Sequence, residues 1–389
     1  MKLLPFEYAV RNLGRNPLRT ALSVGGASLV AFLVLGAAAF VTGMRQSLAV
    51  SASPDNVILL GTGSEESIER SQLAFRSAAV VAASLRGIRR RLGVPYVSPE
   101  VHVALSVTRT ASEQSGRLTV IRGVTSAAFL VHPALEIVQG RVPVQGQNEV
   151  LVGERLADKL GLPPEDVAVG RTLHFDGQPW TVVGRFSAPG TVMNAEIWTA
   201  LTDLQVVTQR DTLSCVILTL DPAQGELADV QAFAAQRLDL ELTALAEAEY
   251  YAGLDAFYRP VRILIMLTAG LIALGGVLGG LNIAHAAFAS RARELGTLQV
   301  LGYLRGAILV SLIQESLIGH AAGALVACGL GYALLDGLSV RFSMGAFGLV
   351  VDGAVVATAL GAGLLLGVVG TLPPAFRLLS AEIPESLRA

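Results

Sequence analysis

The sequence has few charged residues, only two cysteines and a slightly negative net charge. Of its 389 residues, 15% are charged and 52% are hydrophobic, whereas an average soluble domain has about 25% charged residues. The formal net charge of −2 argues against nucleic-acid binding, which requires a clustered basic face. Cys215 lies in a polar region and Cys328 in an apolar one. We therefore expect two small buried thiols rather than a disulfide.

Motifs for catalysis and for nucleotide binding are also absent. The sequence has no G-x-x-x-x-G-K-[ST], H-E-x-x-H, C-x-x-C or G-x-S-x-G motif. The five histidines are scattered without ligand spacing, at positions 102, 132, 174, 285 and 320. The sequence therefore predicts no enzymatic activity, no metal and no cofactor in this chain.

Long uncharged runs are abundant at the two ends of the chain. Crossing a bilayer as a helix takes roughly 20 apolar residues, and four stretches meet that requirement. The predicted spans are residues 18–43, 306–335 and 353–376, together with a stalk and span at 246–288. The first could instead be a signal peptide cleaved near Ala37–Ala39. Its apolar run continues to Val41 and exceeds a usual signal-peptide core, so a retained span is favoured.

Lysine and arginine near the span ends predict the orientation of the chain. One side has Lys2, Arg11, Arg15, Arg19, Arg291, Arg293, Arg305, Arg377 and Arg388, and the other has Arg45, Arg259, Arg262 and Arg341. The bias places both termini and residues 290–306 in the cytoplasm. Residues 1–17 are predicted to form an amphipathic helix on the inner leaflet.

Residues 44–260 alternate between strand and helix patterns and predict a large α+β domain outside the cytoplasm. Asp176–Gly177 is a strong turn signal inside a predicted hairpin. The predicted strands and hairpin are 55–60, 100–109, 117–124, 171–186 and 213–220; the predicted helices are 68–91 and 226–238; 149–162 is a strand followed by a helix; 245–260 is a stalk helix. The fold class is therefore a four-span α-helical membrane protein with this domain inserted between spans 1 and 2.

The spans contain small residues at helical spacing and one acid. The glycine pairs are Gly275 with Gly279, Gly276 with Gly280, and Gly363 with Gly367. This spacing lets helices approach closely, either inside one bundle or at a dimer seam. Glu315 lies in the third span, where an acid costs about 2.5–3.5 kcal/mol at the centre. We expect Glu315 to have a pairing partner or interfacial water, with a structural or coupling role.

A charged segment, SRARELGTLQVLGYLRG, separates the second and third spans at residues 290–306. Leu295, Leu298 and Leu301 recur at a spacing that predicts a short apolar ridge for a partner groove. The alternative is an ordinary cytoplasmic loop that contacts nothing. Considered without further information, the two interpretations are about equal.

The chain resembles the permease subunits of MacB/FtsX/LolCDE-type ABC transporters over nearly its whole length. The motif R-x-R-E-[IL]-G-x-L-x-A-[LM]-G of that family is matched by Arg291, Arg293, Glu294, Leu295, Gly296, Leu298, Leu301 and Gly302, with Val300 where Ala is usual. The one-plus-three arrangement of spans is also similar to the family, as are segments 9–35, 148–162, 178–186, 196–201, 308–335 and 373–388.

The resemblance implies that residues 289–305 form a coupling helix that docks on a separate ABC ATPase subunit, which would bind ATP and Mg. It implies a bacterial inner-membrane permease that works as a dimer with a second copy or a paralogue. Its task would be mechanotransmission for export or extraction of a periplasmic or outer-leaflet substrate. Efflux members also imply a periplasmic adaptor and an outer-membrane channel. The alternative within the family is an FtsX-like scaffold that activates cell-wall hydrolases.

The resulting domain prediction follows the chain. It comprises an N-terminal helix (1–17), span 1 (18–43), the outer domain (44–245), stalk and span 2 (246–288), the coupling helix (289–305), span 3 (306–335), an outer loop (336–352), span 4 (353–376) and a cytoplasmic tail (377–389).

Overall fold

The computed structural model of the chain describes residues 4–113, 115–342 and 345–380. The described residues form two compact units. Unit 1 is the described part of Met1–Thr42, Pro260–Leu338 and Leu349–Ala389, and unit 2 is that of Gly43–Arg259 and Ser339–Gly348. The predicted tail 377–389, with Arg388, lies outside the described residues beyond Ser380.

Helices make up most of unit 1, and strands most of unit 2. The helices are α1 (Phe6–Arg15), α2 (Pro17–Ser51), α3 (Ser77–Ser84), α4 (Ala128–Val131), α5 (Leu156–Leu160), α6 (Leu201–Thr208), α7 (Leu227–Gln236), α8 (Glu247–Phe257), α9 (Arg259–Ala289), α10 (Ala292–Val300), α11 (Arg305–Leu335) and α12 (Gly353–Ser380). The strands are β1 (Asn56–Gly61), β2 (Leu73–Ala74), β3 (Arg90–Arg91), β4 (Val94–Pro95), β5 (Val97–Val107), β6 (Arg117–Val124), β7 (Glu136–Gly140), β8 (Glu149–Gly153), β9 (Thr172–Phe175), β10 (Gln178–Ser187), β11 (Ile197–Ala200), β12 (Thr212–Leu213), β13 (Cys215–Thr219), β14 (Leu242–Ala246), β15 (Ser339–Phe342) and β16 (Gly345–Gly348).

Unit 1 confirms the four predicted spans as α2, α9, α11 and α12, each long and apolar enough to cross a membrane. Helices α11 and α12 pack against each other along their length. By contrast, α9 buries only Ala269, Ala287 and Phe288 inside the chain. The bundle therefore combines a tight α11–α12 pair with a loosely packed α9.

The glycines of the spans divide into two groups. A Cβ on Gly363 would lie 2.7 Å from Ala324 Cβ, and one on Gly367 would lie 3.2 Å from His320 Cβ. Gly276 faces Val30, where an added Cβ would approach Cγ2 to 2.7 Å. An added Cβ on Gly275, Gly279 or Gly280 would meet no described atom within 4 Å. Close packing inside the bundle thus accounts for the first group only.

Unit 2 is built on a mixed sheet of ten strands. Their order is β14-β1-β13-β5-β6-β11-β8-β10-β7, with β9 beside β10. The β6–β11 and β8–β10 pairs are parallel and the other pairs are antiparallel. Strands β1 and β13 are buried at every residue, as their unbroken apolar sequences predict. The predicted α+β class and the hairpin at Asp176–Gly177 are confirmed.

The helix predicted for residues 68–91 is wrong. Only Ser77–Ser84 is helical. Before it, Leu73 pairs with Leu213 in a short strand, and the Gly61 N–H donates to Ser71 Oγ at 2.8 Å. After it, Gly87 adopts a φ of +78°, which a helix does not allow. Tertiary pairing therefore overrides the helical spacing of apolar residues on both sides of α3.

Two elements near the membrane boundary also differ from the prediction. The stalk helix 245–260 is interrupted at Tyr258, between α8 and α9, because Pro260 has no N–H to continue the helical ladder. Its first residues instead belong to β14, which the sequence analysis missed. The predicted outer loop 336–352 contains the hairpin β15–β16, which groups with unit 2.

We expect Gly363→Ala to destabilise unit 1 and Gly361→Ala to be neutral. The first places a methyl group against Ala324, and overpacking of this kind costs about 1–3 kcal/mol. The second lies in the same helix, and its Cβ would meet nothing within 4 Å. Thermal unfolding of the two variants in detergent would show the difference, and equal midpoints would contradict the packing assigned to Gly363.

Candidate functional site

Glu315 is buried in α11 and is surrounded by hydrogen-bond donors from three other parts of the chain. Arg19 Nη2 lies 2.8 Å from Oε1, and Arg291 Nη1 lies 3.0 Å from Oε2. Asn12 Nδ2 donates to Oε2 as well. Glu315 is 5% exposed, and a carboxylate at such a site needs both charge and hydrogen bonds. The predicted pairing partner therefore exists, and it is a set of three side chains.

A second carboxylate, Glu294, continues this arrangement. It accepts hydrogen bonds from Tyr8 Oη at 2.6 Å and from Arg15 Nη1 at 2.9 Å. Arg291 Nε lies 3.3 Å from Glu294 Oε2, so Arg291 bridges both carboxylates. We call this set the ion cluster: Tyr8, Asn12, Arg15, Arg19, Arg291, Glu294 and Glu315. It joins α1, α2, α10 and α11.

The electrostatics of the cluster favour the ionised form of Glu294, which lies outside the spans. Burial acts to raise the pKa of Glu294, but the Tyr8 hydrogen bond and the Arg291 charge hold that pKa below its ordinary value. Burial acts to lower the pKa of Arg291, but Glu315 raises it above its ordinary value. Burial and the Glu294 hydrogen bond raise the pKa of Tyr8. Arg291 therefore stays protonated and Glu294 ionised at neutral pH.

The N-terminal helix α1 supplies its share of the cluster from one face. Tyr8, Asn12 and Arg15 are spaced i, i+4 and i+7, which places them on one side of a helix. On the adjacent face, Arg11 and Glu7 form an exposed pair at 3.7 Å. The amphipathic pattern of α1 thus reflects contact with the bundle through polar groups.

The solvent-exposed face of helix α10 differs from the leucine ridge that the sequence predicted. Leu295 is 1% exposed and packs against Phe288, Ile308 and Leu379, and Leu298 is packed against the same apolar cluster. Leu295 is therefore unavailable to a partner, which corrects the ridge inferred from leucine spacing. The exposed face, called here the α10 outer face, consists of Arg293, Thr297, Val300 and Leu301.

The end of α10 is fixed by a glycine turn. Gly302 has a φ of +88°, its N–H donates to the Gln299 carbonyl at 3.0 Å, and the Tyr303 N–H donates to the Leu298 carbonyl at 3.1 Å. These are the two hydrogen bonds of a Schellman C-cap, in which glycine is preferred. The turn leads directly into α11, while Gly296 is buried within α10.

Unit 2 contains a second buried polar network, which the sequence analysis missed. Glu100 Oε1 accepts from Ser98 Oγ and His132 Nε2, both at 2.9 Å. Its Oε2 accepts from His102 Nε2 at 3.0 Å and from Arg122 Nη1 at 2.8 Å. Ser98, Glu100 and His102 alternate along β5 and so share one face. This alternation of polar residues in an otherwise apolar strand is the sequence pattern that could have predicted the network.

The network continues from Arg122 to a second acid. Arg122 donates from Nε and Nη2 to the two oxygens of Glu196, each at 2.8 Å, and its guanidinium lies 5.1 Å from the Trp198 ring centre. Burial acts to raise the pKa of Glu100, but His132 and Arg122 hold it well below its ordinary value. Burial acts on Glu196 in the same way, and Arg122 lowers its pKa. Burial and Arg122 lower the pKa of His102.

Two side chains of this network, Glu100 and His102, lie close enough to Cys215 for the three to share a metal ion. The donor atoms of Glu100, His102 and Cys215 lie within 4.8 Å of one another. Each Glu100 oxygen already accepts two hydrogen bonds, and burial and Glu100 raise the pKa of the Cys215 thiol well above its ordinary value. A metal binds the thiolate. The donor set therefore fits a hydrogen-bonded structural network better than a metal centre.

Four spans with an α+β domain between the first and the second define a permease-type membrane protein. Residues 20–236 match the MacB-like periplasmic core domain family, and residues 266–383 match the FtsX-like permease C-terminal family. The chain belongs to the MacB/FtsX-type family of ABC transporter permeases, and its large domain is extracytoplasmic.

Two curated relatives and one solved structure are similar to this chain. The uncharacterized ABC transporter permease YknZ of Bacillus subtilis is 22% identical over 98% of each chain. The macrolide export ATP-binding/permease protein MacB of Bdellovibrio bacteriovorus is 23% identical over 97% of this chain, which spans 60% of that protein. The periplasmic region of MacB from Actinobacillus actinomycetemcomitans aligns at 13% identity and a TM-score of 0.39, covering 53% of this chain and 94% of that one.

We expect the stability of unit 2 to fall as the pH is lowered. Glu100 and Glu196 have lowered pKa values in the folded state, so their contribution is present above about 4.3 and is lost as the pH falls toward those folded values. The unfolded chain protonates its histidines near pH 6.5, ahead of folded His102, so the loss begins there. Burial raises the pKa of Glu247, which acts in the opposite direction.

The two tryptophans, Trp180 and Trp198, make this prediction measurable in the intact chain. Both lie in unit 2 with 0% exposure, so their emission reports the unfolding of that unit alone. The midpoint should be lower at pH 5 than at pH 7, and His102→Gln should remove the part of the slope between about pH 6.5 and 5. A midpoint that rises on acidification would contradict the assigned role of the network.

Proposed function

We propose that this permease couples ATP hydrolysis by a separate ABC ATPase subunit to movement of its extracytoplasmic domain. ATP and Mg would be bound by that partner, since this chain has no phosphate-binding loop. Both termini and α10 would face the cytoplasm. The driven movement would serve export or extraction of a periplasmic or outer-leaflet substrate.

The observation that carries this proposal is the ion cluster. Through Arg291 and Glu294 it attaches α10 to Glu315 in α11 and to α1. A force on α10 is therefore transmitted to the third span and the N-terminal helix through charged hydrogen bonds rather than through a flexible loop. Removing one partner of a buried ion pair costs about 3–5 kcal/mol, so this connection is costly to break.

The α10 outer face is the surface available to the ATPase. Val300 and Leu301 are 61% and 65% exposed, and Leu304 beyond the turn is 52% exposed. Arg293 lies on the same side and forms no ion pair with a described carboxylate. An apolar patch beside an arginine is typical of a docking surface. In this proposal Leu295, Gly296 and Leu298 orient the helix and Arg293, Val300 and Leu301 contact the partner.

Helix α9 is the span with freedom to move. A cavity of about 270 Å³ lies between α2, α9, α11 and α12, and Arg19 and Glu315 are in its lining. Because α9 buries few residues while α11 and α12 pack closely, a change in the tilt of α9 disturbs little existing packing. That span leads, through α8, directly to β14 of the extracytoplasmic domain.

A second permease copy or paralogue would complete the transporter. The unoccupied glycine face of α9, at Gly275 and Gly279, allows a close approach by another helix. A periplasmic adaptor and an outer-membrane channel fit the export branch, to which the macrolide export relative belongs by its description. The MacB-like core domain match favours export over the alternative of a cell-wall hydrolase scaffold.

We expect Leu301→Asp to abolish co-purification of the chain with its ATPase while leaving the fold intact. The side chain is exposed, so a carboxylate there disturbs a partner groove rather than the core of this chain. Leu238→Asp is the matched control, because Leu238 is 80% exposed in the extracytoplasmic unit. Retained assembly of the Leu301→Asp chain would reject the docking surface.

We expect Glu315→Gln to uncouple the transporter while the ATPase remains bound. The change leaves Arg19 and Arg291 without their buried counter-charge and costs about 3–5 kcal/mol. The rate of ATP hydrolysis by the purified complex should then no longer change when substrate is added or when the complex is moved from detergent into nanodiscs. Glu7→Gln, which breaks an exposed pair with Arg11, should change neither stability nor hydrolysis. Equal behaviour of the two variants would refute a coupling role for the ion cluster.

A further inference from the structure

A small hairpin in unit 2 carries an exposed leucine at its tip. Strands β3 and β4 pair through Arg90 with Pro95 and Arg91 with Val94. The two residues between them, Leu92 and Gly93, both have positive φ, at 49° and 82°. Leu92 is 98% exposed. The tip is therefore an apolar side chain held in solvent by a backbone conformation that leucine rarely adopts.

The same unit contains an ordinary turn of this kind for comparison. Asp176 and Gly177 connect β9 and β10 with φ values of 50° and 71°. Aspartate followed by glycine is the usual choice for such a turn, because aspartate tolerates positive φ. Leucine at position 92 is less suited to the turn and packs against nothing in return. Its contact must be sought outside the described chain.

Four arginines lie on the first strand of the hairpin and in the segment that leads into it. Arg86, Arg89, Arg90 and Arg91 are all exposed, and none forms an ion pair with a carboxylate in the described part of the chain. Arg90 donates to the Ala82 and Gly93 carbonyls, and Arg89 lies over the Tyr96 ring. Val94, beside the tip, is 51% exposed. The hairpin thus combines an exposed apolar tip with exposed arginines on and just before its first strand.

The hairpin projects from the end of the sheet that carries both connections to the spans. Strand β1 begins at Asn56, shortly after α2 ends, and β14 ends beside it at Ala246, where α8 begins. Asn56 pairs with Thr219, and the neighbouring Leu218 pairs with Val97, the first residue of β5. The hairpin precedes Val97, so it continues past this same end of the sheet.

We propose that the hairpin docks on the membrane surface, with Leu92 at the headgroup boundary and the arginines on anionic phospholipid. Apolar side chains flanked by arginine are characteristic of interfacial anchors, since the aliphatic parts enter the boundary while the guanidinium groups bind phosphate. The unpaired positive charge at the end that leads to the spans favours lipid over a protein partner. The contact holds one end of the extracytoplasmic sheet against the bilayer independently of the two stalk helices.

A fluorescent probe on the full-length chain tests this contact. Leu92→Cys, in a Cys328→Ala background, is labelled with an environment-sensitive dye and placed in nanodiscs containing phosphatidylglycerol; Cys215 is fully buried. The control site is Ala111→Cys, exposed in the segment between β5 and β6 at the opposite end of the sheet. Emission at position 92 should shift to the blue and be quenched by spin-labelled lipid, and emission at position 111 should do neither.

Charge and turn variants identify the cause of the contact. Each Arg→Gln change at positions 89, 90 and 91 should lower the ratio of docked to free hairpin about fivefold, as should high salt for the set. Leu92→Asn should raise stability slightly, because asparagine suits the turn, whereas a structural role for Leu92 would lower it. A probe at position 92 that behaves like position 111 in every lipid, or that responds only to an added protein, would overturn the proposal. The inference depends on membrane anchoring and not on the ATPase, so it can fail while the proposed function holds.

Discussion

The arrangement of unit 1 depends on a single carboxylate in an apolar bundle. Glu315 lies in α11 with 5% exposure, and its charge is balanced by Arg19 and Arg291 from different segments. An ion at such a site is tolerated only where opposite charge and hydrogen bonds surround it. The acid therefore fixes more than its own surroundings: it determines where α2 begins to pack, where α10 starts, and which face of α1 lies against the bundle.

Unit 2 also balances buried carboxylates with an arginine, here inside a sheet. Glu100 and Glu196 share Arg122 inside the sheet, and two histidines complete the shell of Glu100. These groups come from β5, β6, the residue after α4 and the residue before β11, so the network favours one register of strands that apolar packing alone would allow to slip. A sheet whose register is specified in this way suits the proposed movement of the domain as a single body.

Elements governed by local pattern could be predicted from the sequence, and those governed by distant partners could not. The four spans and the Asp176–Gly177 hairpin follow from uncharged length and turn chemistry. Residues 68–91 have a helical apolar spacing, but Leu73 pairs with Leu213 far along the chain. The leucine spacing of α10 gave no indication that Leu295 faces Phe288 and Ile308, because a ridge looks the same whichever neighbour covers it. An acid within a span, such as Glu315, can be recognised from the sequence as needing partners. The sequence does not show which residues those partners are, because they lie far away along the chain.

The burial of Leu295 has a consequence for how α10 can transmit force. With Leu295 and Leu298 committed to the bundle, the apolar contact open to a partner is confined to the last turn, at Val300 and Leu301. That turn is closed by the Gly302 cap, after which α11 begins within three residues. A force applied to the last turn would thus reach the start of the third span through a short, hydrogen-bonded turn. The other end of α10 is held at Arg291 by Glu315, ten residues further along α11. In the proposed coupling, a load on the last turn of α10 would therefore act on α11 at two places, its first residue and Glu315.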